Sequence, residues 1–145
     1  MIDVLQVNSD DIVVMVGLIK PFRKVFESKA KGLYILERGM RRNINVYPDT
    51  GSEDIIPKSD IVVITGSSMA NGTIDRLLDL SENAKTKAMV GPTASCIPDP
   101  LVDKGVDYVG GIRLVNSDLT WRIIMEEGGT RQLRRSGKFI KYKRA

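Results

Sequence analysis

Ile61-Val62-Val63-Ile64-Thr65-Gly66-Ser67-Ser68 is an apolar, β-branched run that stops at a glycine and passes into hydroxyl-bearing side chains. Four β-branched and apolar residues in succession favour a strand. Apolar character at both odd and even positions means that both of its faces are buried, as in a parallel sheet covered by helices on either side. The next residues, Met69-Ala70-Asn71-Gly72-Thr73, lead into Ile74, Leu77, Leu78 and Leu80, which recur at helical spacing. A buried strand, a short polar loop and an amphipathic helix form one βα step.

The same alternation runs through the rest of the chain. Ile12–Val16 is a first buried strand ending at Gly17; Pro21 opens a helix on which Phe22, Val25 and Phe26 recur as far as Gly32. Leu33–Leu36 is the second strand, closed by Glu37-Arg38-Gly39. Asn43, Asn45, Pro48, Asp49, Gly51 and Ser52 then read as a loop, with one helical turn over Glu53–Ile56. With Ile61–Ile64 as the third strand, Ala88–Val90 is the fourth, ending at Gly91-Pro92. Pro100–Lys104 is a short helix with Gly105 beyond it, and Val106–Val109 is the fifth strand, ending at Gly110-Gly111. A last helix starts at Ser117 or Asp118 as N-cap, runs to Glu126 or Glu127 and is stopped by Gly128-Gly129. Ile2–Val7 is a short helix or a lead-in. The expected architecture is α/β: a Rossmann-like three-layer sandwich on a five-stranded, mainly parallel sheet, with right-handed crossovers and strand order 3-2-1-4-5.

A chain of 145 residues with 42% hydrophobic residues suits one domain with a buried core. No apolar run approaches the roughly 18 residues of a membrane span, and the N-terminus lacks the basic-then-apolar pattern of a signal peptide. Cys96 is the single cysteine, so an internal disulfide is excluded and a reducing, cytoplasmic setting is expected. Charge is unevenly placed. Residues 131–145 carry seven of the 22 cations and no acid, leaving 15 cations against 18 acids in the other 130 residues. The reading is a domain over 1–130 and a basic tail over 131–145. The acidic body makes nucleic acid an unexpected partner for the fold as a whole. The tail is a solvated charge run, a dock for a partner chain, or a contact for RNA or an anionic ligand; Phe139 and Tyr142 interleave its cations.

In open parallel sheets ligands bind beyond the carboxyl ends of the strands. Gly17, Gly66, Gly91 and Gly110 all fall there, as turns alone or as the rim of a crevice. Thr65, Gly66, Ser67, Ser68, Asn71 and Thr73 offer hydroxyls and an amide beside a helix start, where an anion is favoured; the bland account is that Asn71 or Thr73 caps the helix. Gly17-Leu18-Ile19-Lys20-Pro21 keeps only the first glycine of a dinucleotide fingerprint, and no Walker motif occurs. Glu37 stands about where an acid meets a ribose hydroxyl, or is a solvated strand-end acid. Lys20 meets an anion or faces water, and Asp49 is an acid candidate in the loop after the second strand. With no histidine there is no imidazole base, and carboxylates with Cys96 are the only side chains for a metal, so no metal ligand is assigned. Cys96 is read as a structural cysteine.

The string Thr65-Gly66-x-x-x-x-Asn71-Gly72-Thr73 resembles the prokaryotic proteins named putative heavy-metal chelation domain proteins. Supporting matches are Val16-Gly17 with Lys20-Pro21, Glu37-Arg38, Pro48-Asp49-Thr50, Gly91-Pro92-Thr93, Gly110-Gly111 and Gly128-Gly129-Thr130-Arg131-Gln132, over about residues 10–135. The resemblance implies a Rossmann-like domain that in the family follows a smaller, enolase-N-like domain. The two line a cleft for a metal or a metallated heterocycle. This chain lacks that first half, so the resemblance points to a homo-oligomer or a separate enolase-N-like partner chain. The function expected is a small-ligand-binding domain forming half of a cleft for an anionic or metal-associated heterocyclic ligand, held by the Gly17–Lys20, Thr65–Thr73 and Gly91–Thr93 loops. Its cofactor is unassigned beyond the family's metal or metallated heterocycle. The alternatives are a non-catalytic adaptor docking a partner through its basic tail, or an enzyme acting on a nucleotide or tetrapyrrole-like substrate.

Overall fold

The computed structural model describes residues 5–39 and 45–144. At its centre are β1 (Ile12–Val16) and β4 (Ile61–Thr65), whose middle residues Val13, Val14, Met15, Val62 and Val63 are wholly buried. Each is paired along both edges, β1 with β2 (Gly32–Glu37) and β4, and β4 with β1 and β5 (Thr86–Val90), all parallel, and helices pack on both faces. The sheet continues through β3 (Val46–Pro48), β6 (Tyr108–Leu114) and β7 (Gly137–Lys143) in the order β3-β2-β1-β4-β5-β6-β7. Every pairing is parallel except that of β6 with β7.

The helices are α1 (Lys20–Lys29), α2 (Ser52–Ile55), α3 (Ser67–Ala70), α4 (Ile74–Leu80), α5 (Asp99–Asp103), α6 (Ser117–Met125) and α7 (Thr130–Leu133). Alternate strand residues point to opposite faces and give two cores. On one side Phe22 and Phe26 of α1 pack on Val13, Met15, Leu33, Ile35 and Val63. On the other, Leu77 and Leu78 of α4, Leu101 of α5 and Ile56 pack on Val14, Leu36, Val62, Ile64 and Met89. Leu5, in the segment expected to be a helix or lead-in, is buried with the first core in irregular chain, and residues 2–4 lie outside the described range.

The α/β class and the parallel-dominated sheet stand as expected, and several particulars differ. The sheet has seven strands rather than five. The Ile61–Ile64 strand lies between β1 and β5, not outside β2, because the connection after β2 first makes β3 at the edge and then crosses back. Once β3 is counted, 3-2-1-4-5 is the order of the first five strands; its third member is Val46–Pro48. Pro48 is tolerated there because β3 has a partner on one side only. Asn43, part of the expected loop, lies outside the described residues.

The strand near Val106–Val109 starts at Tyr108 and runs through Gly110-Gly111 to Leu114, so Gly110 is an interior residue laddered to Val90 and Lys141. The segment read as a tail supplies α7 and β7, with lysines interspersed among Phe139, Ile140 and Tyr142 along an edge strand. The cap of α6 is Asn116, whose Oδ1 accepts the Leu119 N–H at 2.9 Å, rather than Ser117 or Asp118. The helix ends with Glu127 in the left-handed region at φ 57° and the Gly128 N–H returning to the Ile123 carbonyl at 2.8 Å.

The strand starts are clipped together at the opposite end of the sheet. Asp60 accepts the Ile12 N–H at 2.9 Å, and Lys85 Nζ reaches Asp60 at 2.7 Å and the buried Asp11 at 3.3 Å. The Ile12 hydrogen bond, and after it Lys85, hold the Asp60 carboxyl below its ordinary value; Asp60 and Asp11 raise the Lys85 ammonium in return. Among the described residues no helix is long and apolar enough to cross a membrane.

Candidate functional site

The chain leaves β1 toward β2 and leaves β4 toward β5, so the sheet's topological switch lies between the carboxyl ends of β1 and β4. A cleft of about 400 Å³ opens there, walled by the ends of β1, β2 and β4, the turn after β3, α2 and one face of α4. Its volume falls at the lower end of the range that accepts small organic ligands.

Two glycines set its inner side. Gly17 takes φ +89°, donates its N–H to Leu36 O at 2.7 Å, and sits so close to Thr65 that a Cβ would stand 2.9 Å from Thr65 Cγ2. A side chain there would be strained in its backbone and would also push the first and fourth strands' loops apart. Gly66 packs against the turn after β5: a Cβ would meet Ala94 N and lie 2.6 Å from the Thr93 carbonyl carbon, neither of which can swing away. Gly91 and Pro92 belong to that turn and brace the Thr65–Ser68 loop from behind, with the Gly66 N–H on Val90 O and the Gly91 N–H on Gly110 O, both at 2.9 Å.

The expected site residues therefore divide. Gly17, Glu37, Asp49 and Thr65 line the cleft, as do Ser67, Ser68, Asn71 and Thr73. Gly66, Gly91, Pro92, Thr93 and Gly110 do not; they form the turn-on-turn packing behind it or, for Gly110, the interior of β6. Lys20 is the exposed first residue of α1 and lies off the lining. Asn71 Oδ1 accepts both the N–H and the hydroxyl of Thr73, at 3.2 and 2.7 Å, so these two side chains shape the entry to α4 as well as the wall. The Thr65 and Ser67 hydroxyls are 3.5 Å apart, at the limit of a hydrogen bond, and each keeps capacity for a ligand.

Glu37 is spoken for: one carboxylate oxygen accepts the Leu18 N–H at 2.7 Å and the other the Arg38 N–H at 3.0 Å. It ties the end of β2 to the loop after β1. Asp49 is held by Arg38 at 2.8 Å, and Glu53 by Arg76. The sequence reading missed Arg38, Ser52, Glu53 and Arg76 on the rim and Val16, Leu36, Leu77 and Leu80 on the floor, while Leu18 belongs to the expected Gly17–Lys20 loop. Thr73, Arg76, Leu77 and Leu80 share one helical face, a spacing visible in the sequence, where Leu77 and Leu80 read only as packing. Ser52 and Glu53 needed the return of the chain through β3, which brings residues 49–53 over the crevice.

A model of the family DUF364, described as "Putative heavy-metal chelation", matches residues 1–143. The chain belongs to this family. An uncharacterized protein of Methanocaldococcus jannaschii is 30% identical over 118 residues, covering 79% of this chain and 46% of that protein. Two solved members have no known function. The one from Desulfitobacterium hafniense has TM-score 0.84 and 26% identity over 99% of this chain and 55% of its own. The one from Pyrococcus horikoshii has TM-score 0.83 and 22% identity, over 94% and 56%, and shows the shared fold. The chain thus spans about half the length of the family members it matches.

The family's description raises a metal, and the donors of this cleft do not fit one held directly. The sequence has no histidine and one cysteine, and Cys96 is not on the lining. Glu37 is satisfied by backbone N–H groups, while Asp49 and Glu53 are each matched by an arginine. Among the described residues no three histidine, cysteine, aspartate or glutamate side chains converge as a ligand set.

Proposed function

We propose that this member of the family binds a small heterocyclic ligand with an anionic edge in the switch-point cleft, and contributes one half of that ligand's enclosure. The observation that carries the reading is the division of the cleft into an apolar floor (Val16, Leu36, Leu77, Leu80) and a polar rim (Thr65, Ser67, Arg38, Arg76). A flat ring is desolvated by hydrocarbon on the floor, while hydroxyls and guanidinium groups orient its polar edge. Both arginines are already neutralised by exposed carboxylates, in pairs that contribute little stability and exchange readily for an anionic ligand. Any metal enters as part of the ligand, because the side chains here supply no ligand set for it. The open mouth, and the greater length of the family members that share this fold, support a second wall from another polypeptide or another domain.

Native mass spectrometry of the purified chain tests this. The expected result is a non-covalent adduct, lost on denaturation and absent from a folded Ser67→Arg variant, whose exposed rim position lets the new side chain fill the cleft. An adduct that Ser67→Arg retains places the ligand elsewhere, and a folded chain carrying none in the wild type counts against the reading. The adaptor reading has its own support in the exposed basic edge of β7. It predicts that Lys138→Glu/Lys141→Glu removes a partner without touching the adduct.

A further inference from the structure

α6 is apolar on two sides. Thr120 and Ile123 are buried inward, while Trp121, Ile124 and Met125 face outward at 65%, 49% and 82% exposure. Spacings of three and four residues place those three on one face. Val115, 62% exposed, and Leu114 precede the Asn116 cap and extend the patch beyond the start of the helix. Single exposed apolar residues are ordinary, but a two-sided apolar helix is the mark of one that is covered. We infer that this outer face is a two-fold contact between two copies of the chain, with the two α6 helices packed antiparallel.

Charge and area favour a second copy. Asp118, Arg122 and Glu126 stand four residues apart and form a polar stripe along one flank of the outer face. In an antiparallel pair about a two-fold axis, a flank meets its own copy. With the axis at the level of Thr120, Asp118 faces the partner subunit's Arg122, and Arg122 faces the partner subunit's Asp118. The same register sets Met125 against the partner subunit's Val115 and brings the two indoles together near the axis. A homodimer of standard size needs roughly 500 Å² of apolar area per subunit. With an aromatic side chain worth roughly 150–250 Å², Trp121 alone offers on the order of a quarter of that. Met125, Val115, Ile124 and Leu114 supply area of the same order as the remainder. The other unpartnered surface, β7, is a poor self-contact, because Lys138, Lys141 and Lys143 oppose a strand partner of their own sign.

Sedimentation velocity of the chain at tens of micromolar is the test, with circular dichroism melts to confirm that each variant is folded. The wild type is expected to be a dimer, and Trp121→Asp and Met125→Asp monomers. Asp118→Arg and Arg122→Asp each weaken dimerisation about tenfold, since each removes two symmetry-related ion pairs. Combining the two restores it to within about threefold of wild type. A wild-type monomer, or a dimer indifferent to both apolar variants, overturns the inference. A double variant as weak as the singles overturns the two-fold register. A face that becomes protected from hydrogen exchange only when a different polypeptide is added overturns the choice of a second copy.

Discussion

The approach of Gly17 to Thr65 fixes the inner side of the cleft, and its energetic cost can be separated into two parts by substitution. Gly17→Ala must place a methyl-bearing residue at φ +89° and must also find room 2.9 Å from Thr65 Cγ2. The backbone part costs about 1–2 kcal/mol, as for an L-residue in the left-handed region. Crowding a packed site adds about 1–3 kcal/mol. Gly72 is the control: it takes φ +74°, and a Cβ there meets nothing within 4 Å, so Gly72→Ala carries the backbone part alone. Urea unfolding followed by circular dichroism should therefore show Gly17→Ala less stable than Gly72→Ala by about 1–3 kcal/mol, with unchanged m-values. For a chain of this size that difference is a Tm gap of about 2–4 °C per kcal/mol. Thr65→Ser removes the crowding methyl and leaves Thr65 Cβ at 3.0 Å, so Gly17→Ala/Thr65→Ser should recover part of the gap, seen as a coupling energy in a double-mutant cycle. If Gly17→Ala and Gly72→Ala are equally destabilised, or if Thr65→Ser gives no recovery, contact between the two loops is not what holds this wall.

Two further outcomes follow from the ends of the elements. Asp60 has a folded-state pKa below its unfolded value, so its contribution is fully present above the ordinary carboxylate range and is lost as pH falls through the depressed folded value. The stability gap between wild type and Asp60→Asn, measured as urea midpoints, should narrow steadily below about pH 4; a gap that stays constant there would refute the linkage. At α6, Asn116→Ala should cost about 1 kcal/mol and Ser117→Ala less than about 0.5 kcal/mol; the reverse ranking would restore Ser117 as the cap.

What could be read from the residues follows how strongly each element depends on local pattern. β1 and β4 were legible because a strand buried on both faces is apolar at every position, and Ile12–Val16 and Ile61–Ile64 are. Val46–Pro48 was not, because three residues on an edge need only one buried face, and Asn45 before the strand and Pro48 at its end carry turn chemistry. Missing that strand also displaced Ile61–Ile64, since which side of β1 a strand joins is set by the path of the connection and not by its own sequence. β7 was obscured by its charge. Lys138-Phe139-Ile140-Lys141-Tyr142-Lys143 has the β-formers of a strand, but edge lysines and a solvated tail look alike in composition. Of the cleft, the glycine and hydroxyl positions after β1 and β4, with Glu37 and Asp49, were found. Ser52, Glu53 and Arg76 were not, because their place on the rim depends on elements folded back from elsewhere in the chain.

The two sides of the cleft differ in mechanical character. The inner side is backbone locked against backbone, at Gly17 with Thr65 and Gly66 with Thr93 and Ala94. The outer side, residues 49–53, is tethered to β2 and α4 by Arg38–Asp49 and Arg76–Glu53, pairs of side chains that are all more than a third exposed. Raising ionic strength from millimolar to molar shortens the screening length from tens of ångströms to about 3 Å. It weakens those two pairs and does not act on the backbone contacts of the inner side. The rim charges are thus exchangeable parts set over a fixed socket, so substitutions among them can alter what the cleft admits without re-forming the backbone beneath.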